Sequence, residues 1–350
     1  MSLDGTVDKL RAGTNLTRGE SRAVMQRLLS GTVRDEEIVQ FLAALRDKGE
    51  QPQELVGFAE VMRAHATAAL EAAGVKLDRI SRREPLLDTC GTGGDGCGTF
   101  NVSTAVALIA AAAGVRVAKH GNRSISSRCG SADVLEALGV AIDVPLDRIP
   151  ECLDKVGMVF LFAPRLHLAM KHVMNARRSL KTKSIFNLLG PLTNPLAATV
   201  QLVGVYDAAR TEMMAETLLA VGTERAYVVA GSDGLDEITT TGPTRVSHAQ
   251  HGGVETRDVF PEEFGVPRAT LDQIKGGDAP ANARLLSRVL EGERGPHRDI
   301  VLANSAAALT VAGKANGFVE GVAKAAEQID SGAATRTLRK LVEFTRRFSV

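Results

Sequence analysis

With 350 residues, 44% of them hydrophobic, the chain is long enough for one large domain plus a smaller one. Its 42 basic and 41 acidic residues leave a net charge of +1, which argues against a nucleic-acid or membrane-surface partner. The longest apolar runs, such as 105–115, are Ala-rich and too short to span a bilayer, and Met-Ser-Leu-Asp-Gly at the start has no secretory pattern.

Residues before about Gly74 read as helices only. Thr17 followed by Glu20 is a capping-box start, and Ala23, Met25, Leu28 and Leu29 follow at helical spacing. A second helix opens at Asp35 with Ile38, Phe41, Leu42 and Leu45 apolar, and 53–73 supplies a third. The expectation for 1–75 is a small helical domain, suited to packing or dimerisation rather than catalysis. A charged connector, 76–83, follows, and then the period changes. A short buried strand at 85–88 leads into a glycine loop and a helix from about Val102. Next come a strand at 115–119, a loop at 120–130, helices at 131–138 and 146–156, and a strand at 158–162. Residues 167–179 return to a helical pattern, and 187–195 read as a turn-rich crossing. Strand 200–206, helix 211–221 and strand 226–230 resume the alternation, 246–259 reads as a less regular β excursion, and helices dominate from Ala281. Strand–helix alternation of this kind predicts an α/β domain over 84–350, built on a mostly parallel, doubly wound sheet.

Cys90, Cys97, Cys129 and Cys152 form no CxxC pair and have no His at zinc-ligand spacing, so reduced thiols and a cytoplasmic location are expected. Gly91-Thr-Gly-Gly-Asp-Gly lies between a strand and a helix, where α/β sheets bind ligands. Glycines there let backbone amides bend toward an anion, and Asn101-Val-Ser-Thr adds a helix start. The order differs from the dinucleotide GxGxxG, and no Walker lysine follows. A glycine-rich turn also serves purely structural ends, but the hydroxyls of Ser103 and Thr104 favour phosphate. Lys119, His120, Asn122, Arg123 and Ser124 occupy the next strand–helix loop, which is suited to a polyphosphate or else to a solvated charge cluster. Asp236-Glu237 follows the strand at 226–230, on the same rim, and adjacent carboxylates there suit a Mg²⁺ whose remaining ligands are substrate phosphates. Arg177 and Arg178 sit on a helix; an arginine suits bidentate capture of a carboxylate, although an exposed helical arginine is more often structural.

Six motifs occurring in this order resemble the anthranilate phosphoribosyltransferases over essentially the whole chain. They are Gly91-Thr-Gly-Gly-Asp-Gly, Phe100-Asn-Val-Ser-Thr, Lys119-His-Gly-Asn-Arg-Ser, Gly130-Ser-Ala-Asp-Val-Leu-Glu-Ala-Leu-Gly, Ile185-Phe-Asn-Leu-Leu-Gly-Pro-Leu-Thr-Asn-Pro and Asp236-Glu-Ile. The resemblance implies the nucleoside phosphorylase-like phosphoribosyltransferase fold, in which 167–184 rejoin the helical domain and substrates sit at the hinge. It implies a phosphoribosyl diphosphate site lined by Gly91, Gly94, Asp95, Thr99, Asn101, Val102, Ser103, Thr104, Lys119, His120, Gly121, Asn122, Arg123, Ser124, Ile125, Ser126, Ser127 and Ser131. Ser103, Asp236 and Glu237 match positions associated with Mg²⁺, and Gly91, Asn122 and Arg177 those contacting anthranilate. Lys119, Asp236 and Glu237 are the expected catalytic group. A homodimer through the helical domain is implied as well.

One departure is plain: Lys181-Thr-Lys-Ser stands where Gly-x-Arg-Thr is expected, which bears on local packing or hinge geometry. Two rival readings are a pyrimidine nucleoside phosphorylase and a non-enzymatic nucleic-acid-binding relative on the same fold. Asp236-Glu237 and Asn122-Arg-Ser disfavour the first, and the balanced charge disfavours the second.

Overall fold

A computed structural model of the chain describes residues 3–77, 80, 84–124 and 128–348. It begins with α1 (Asp4–Arg11), α2 (Arg18–Leu29), α3 (Asp35–Lys48) and α4 (Pro52–Ala72). Thr17 caps α2: its hydroxyl accepts the Glu20 N–H at 3.2 Å, and the Glu20 carboxylate accepts the Thr17 N–H at 2.8 Å. These reciprocal bonds satisfy donors that a helix start leaves open. Only Val7 and Leu10 form the buried face of α1, too little periodicity to announce it in the sequence.

The chain continues through β1 (Leu86–Gly91), α5 (Val102–Ala112), β2 (Arg116–Gly121), α6 (Ser131–Ala137), α7 (Ile149–Val156) and β3 (Met158–Phe162). Next come α8 (Ala163–Leu166), α9 (Met174–Leu180), α10 (Ile185–Leu192), β4 (Val200–Gly204), α11 (Thr211–Ala220) and β5 (Arg225–Gly231). A hairpin of β6 (Thr244–Gln250) and β7 (Gly253–Val259) precedes α12 (Ala279–Leu290), α13 (Pro296–Val311), α14 (Phe318–Asp330) and α15 (Ala333–Arg346). The strands form one seven-stranded sheet, ordered β3-β2-β1-β4-β5-β6-β7. It is parallel from β3 to β5 and antiparallel at β6 and β7.

Alternate strand residues feed two cores. Leu202, Tyr227 and Val229 join α5, α13 and α15 on one face, while Val203, Val228 and Ala230 join Leu28, Phe41, Phe58 and Leu189 on the other. Both faces are therefore covered, as a doubly wound sheet requires. α5 is buried over nearly its whole length, and its alanines let it pack closely against α13 and α15. The second core runs from the first helices to the sheet, with α3 packed on α9 and α4 on α10 and α11. No helix among the described residues is long and apolar enough to cross a membrane.

Three expectations change. The turn-rich crossing is largely helix: Asn187 accepts the Ser184 N–H at 3.1 Å to start α10, and Pro191 falls in its last turn. A proline so close to a helix end disturbs little, but with Gly190 it masks the period. The β excursion is a fully registered hairpin, closed by His251 and Gly252, both at positive φ. Most of β7 is exposed, so its polar residues hide the alternation. The helical stretch at 167–179 is broken, a 3-10 turn at Leu168–His172 preceding α9.

α9 ends at Lys181, whose φ of 51° and ψ of 15° place a side chain where glycine is favoured. Relief of that left-handed strain exceeds the added freedom of the unfolded chain, so Lys181→Gly is expected to stabilise the fold by about 0.5–1 kcal/mol. A higher urea midpoint at unchanged slope is the check.

Candidate active site

The sheet reverses its winding between β1 and β4: β2 lies to one side of β1 and β4 to the other. Such a switch point leaves a crevice at the carboxyl ends of the two strands. Both strands end there in glycine, and Gly91 is the register partner of Gly204. The loop after β5 folds directly onto this pair. A Cβ on Gly204 would overlap the Asp236 carbonyl, and one on Gly91 would overlap the Asp236 carboxylate.

Asp236 is thereby pressed against the glycine loop, where the Gly93 N–H donates to its Oδ2 at 2.7 Å. In the first turn of α5, the Ser103 N–H donates to Glu237 Oε1 at 3.1 Å. Removal from water and the neighbouring Asp95 charge raise the Asp236 carboxyl above its usual range. Glu237 is raised by removal from water and by Asp236. Asp233 anchors the loop that carries them, accepting the Thr239 hydroxyl at 2.6 Å, the Thr241 hydroxyl at 2.7 Å and the Leu235 N–H at 3.2 Å.

The glycine loop turns through four left-handed residues, Gly93, Gly94, Gly96 and Gly98, with φ between 63° and 74°. Side chains rarely adopt that region, so the loop's path depends on glycine. Its start continues the sheet, with Thr92 N–H donating to Gly204 O at 2.9 Å. Asp95 accepts the Cys97 N–H at 3.3 Å, and Thr99 pairs with Lys275 in an isolated bridge. At the start of α5, the buried Thr104 hydroxyl has no hydrogen-bond partner among the described residues. The Val102 N–H is already taken by Phe100 O at 2.8 Å. Asn101 is tied sideways, donating to Cys129 O at 3.2 Å and accepting from Asn282 at 3.0 Å.

Lys119 lies beneath this loop, 1% exposed. Its Nζ donates to Thr89 O and, at 3.2 Å, to Ser103 Oγ. Burial lowers its pKa, against the opposing pull of Asp88. Asp88 itself is fully buried and raised to about 6 by loss of solvent. It accepts the His120 N–H at 3.1 Å and the Asn194 side-chain amide at 2.8 Å, joining β1, β2 and the segment after α10. Sequence reasoning gave neither Asp88 nor Asn194 a role; the available signal was an acid inside an apolar strand. His120 is buried, with Nδ1 3.3 Å from Gly190 O and Nε2 unpartnered among the described residues. Burial pulls its pKa to about 3, so the ring is neutral near pH 7. It packs 5.2 Å from His167, centre to centre.

In the second loop, a Cβ on Gly121 would overlap the Ser131 hydroxyl and press on Phe160. Asn122 is exposed, and its carbonyl accepts the Ala132 N–H at 3.2 Å and the Ser131 hydroxyl at 3.4 Å. Arg123 pairs with Asp133 and Glu136, and the Ser124 N–H donates to Asp133 at 3.0 Å. Ile125, Ser126 and Ser127 lie outside the described residues. Arg177 on α9 is half-buried, its guanidinium carbon 5.8 Å from the Phe186 ring centre. It has no carboxylate partner among the described residues, and burial lowers its pKa. Arg178 is exposed.

The described residues hold no cluster of three His, Cys, Asp or Glu side chains arranged for a metal. Asp236, Glu237 and the Ser103 hydroxyl instead offer a small set of oxygen donors. That set fits Mg²⁺, which binds through one or two carboxylates and leaves positions for phosphate and water.

Two family models match the chain: a glycosyl transferase family helical bundle domain over residues 6–66, and a glycosyl transferase family a/b domain over 83–335. The anthranilate phosphoribosyltransferase of Solibacter usitatus is 50% identical over 347 residues, covering 98% of this chain and 99% of that protein. That of Moorella thermoacetica is 48% identical, covering 97% of each. The crystal structure of anthranilate phosphoribosyltransferase (TrpD) from Thermus thermophilus superposes with a TM-score of 0.87 at 42% identity, covering 97% of this chain and 99% of that one. The Saccharomyces cerevisiae enzyme, solved in complex with PRPP and Mg, superposes at 0.85 with 27% identity, covering 99% of this chain and 98% of that one.

Proposed function

The chain belongs to the anthranilate phosphoribosyltransferase family, and from that membership we infer that it transfers the phosphoribosyl group of 5-phosphoribosyl 1-diphosphate to the amine of anthranilate. The products are N-(5-phosphoribosyl)anthranilate and diphosphate, a step of tryptophan biosynthesis. The observation that carries the assignment to this crevice is the contact of the Asp236–Glu237 pair with the glycine loop and the first turn of α5. Anion-binding amides and metal-binding carboxylates lie side by side, as a magnesium-bound diphosphate demands.

In the reaction, the anthranilate nitrogen forms a bond to ribose C1 while the bond from C1 to the diphosphate oxygen breaks. An aryl amine is a neutral nucleophile, so no strong base is needed before attack; the nitrogen sheds its proton to solvent once bonded. The loop amides of Gly94, Asp95, Gly96 and Gly98, with the Ser103 and Thr104 hydroxyls, receive phosphate oxygens. Asp236, Glu237 and Ser103 would hold Mg²⁺, which when bound neutralises charge developing on the leaving group. Lys119 acts from beneath, fixing Thr89 and Ser103 and adding a positive field. Asn122 and Ser131 hold the second loop against the ribose phosphate. The His120 ring, neutral near pH 7, presents one nitrogen without a partner among the described residues.

Arg177 faces the anthranilate carboxylate in this reading. A half-buried guanidinium without a counter-ion needs an anion from the ligand. Arg177→Ala is expected to raise the anthranilate KM about 10- to 150-fold, the equivalent of a lost charged hydrogen bond. Steady-state kinetics at saturating phosphoribosyl diphosphate are the check, and unchanged anthranilate kinetics would remove Arg177 from the site. Mass detection of N-(5-phosphoribosyl)anthranilate tests the reaction itself. Phosphorolysis of thymidine or uridine, with no anthranilate product, would replace it by the phosphorylase reading. A homodimer through the helical domain, in the cytosol, belongs to the same proposal; light scattering should give twice the 37.0 kDa chain mass.

A further inference from the structure

Lys183 stands in the short link between α9 and α10, where its neighbour Lys181 bends the chain. Its side chain is exposed and crosses to the rim of the sheet. There the ammonium sits 3.5 Å from the centre of the Tyr206 ring. Tyr206 follows β4, and its N–H donates to Thr92 at 3.2 Å, so the ring stands at the mouth of the β1–β4 crevice. On the other side, a Cβ built on Gly94 would touch Lys183 Cε at 3.4 Å. Lys183 thus lies against the glycine loop, while Asp236 holds that loop through Gly93.

The charge balance around Tyr206 is uneven. Arg210, 5.8 Å from the same ring, is neutralised by Glu50 at 2.7 Å and Asp207 at 3.5 Å. Lys183 has no carboxylate within ion-pair distance among the described residues; its ammonium meets the ring face. A ring orients an ammonium without cancelling its charge. The free positive charge therefore sits beside loop amides that already favour an anion.

We propose that Lys183 is a binding residue for the diphosphate group: it reaches from the α9–α10 link to the glycine loop and contributes a direct cationic contact to the leaving group. The proposal rests on the assignment of the glycine loop to diphosphate. Lys119 cannot serve in this way, because its ammonium is buried and committed to Thr89 and Ser103. Lys183 is exposed and can follow the ligand. Because the link joins helices packed on α3 and α4, the contact also ties diphosphate occupancy to the position of the helical part.

The test is calorimetric titration of inorganic diphosphate with Mg²⁺ into the wild type, Lys183→Met and Lys183→Arg, with anthranilate turnover measured on each preparation. Met keeps the apolar contact with Tyr206 and removes the charge. K183M should bind diphosphate roughly 10-fold or more weakly, the range for a charged hydrogen bond, and its binding should depend less on salt. K183R should recover most of the affinity, and the anthranilate KM and the melting temperature should stay near wild type in both. Equal diphosphate affinity of K183M and wild type, or a raised anthranilate KM with unchanged diphosphate affinity, would overturn the assignment. If the wild type turns over anthranilate while K183M binds diphosphate normally, the Lys183 role alone falls. If the wild type lacks turnover, the activity reading falls, and the titration still decides whether Lys183 binds diphosphate.

Discussion

Replacing Asp236 and Glu237 together by Asn and Gln is expected to lower kcat on the order of 10³-fold, since a single preorganised electrostatic contact is worth about 10²–10³. The normal Mg²⁺ dependence should vanish with it. The amides match the carboxylates in size, so the loop keeps its packing on Gly91 and Gly204. Lost are the anionic oxygens that accept from Gly93 and Ser103 and that would hold the ion. In the free enzyme removal from water is the larger penalty on these charges, and their repulsion of one another and of Asp95 adds to it. The variant is therefore expected to melt no lower than the metal-free wild type while turning over on the order of 10³-fold more slowly. Activity titrated against Mg²⁺ is the measurement, and a wild-type titration curve would refute the metal role of the pair.

The second large effect is predicted for Gly204→Ala, a single methyl group on a residue that touches no substrate. The backbone there is extended strand, so alanine meets no conformational penalty. Its Cβ, however, would occupy the position of the Asp236 carbonyl. The β5 loop must lift, and Asp236 and Glu237 move away from Gly93 and Ser103. A displacement of about 1 Å in a positioned group costs around 10²-fold in rate, whereas the overpacking itself costs about 1–3 kcal/mol of stability. Full loss of fold and full retention of kcat/KM are both excluded by this account. Steady-state kinetics alongside a denaturant melt separate the two contributions.

Much of this site was legible in the sequence because its parts are local. Gly91 to Gly98 must be glycine-rich wherever the backbone turns through positive φ, and Asp236-Glu237 is an acidic pair after an apolar strand. The alternation of strands and helices conveyed the doubly wound sheet, and the joint order of motifs conveyed the family. What stayed hidden depends on which strands are neighbours. That Gly91 faces Gly204 is a matter of register across 113 positions, and no local pattern encodes the seat they make for Asp236. Lys119 was expected in the loop after the second strand, yet it lies within β2, turned under the glycine loop and 1% exposed. Arg123 looked ready for phosphate, but α6 brings Asp133 and Glu136 to meet it. Asp88 and Asn194 bond across 106 positions, and each is unremarked alone.

α10 was obscured for a different reason. Gly190 and Pro191 are strong turn signals, and here they end a short helix whose first turn is set by Ser184 and Asn187. Its carbonyl at Gly190 reaches His120, and its Phe186 lies under Arg177, so this helix links the end of β2 to α9.

The most direct test of the central claim is the loss of anthranilate fluorescence on mixing the purified protein with anthranilate, phosphoribosyl diphosphate and Mg²⁺. A decay that requires all three is expected, slowed on the order of 10³-fold in the Asp236→Asn, Glu237→Gln double variant. Steady fluorescence with the complete mixture, or equal decay in the double variant, would contradict it.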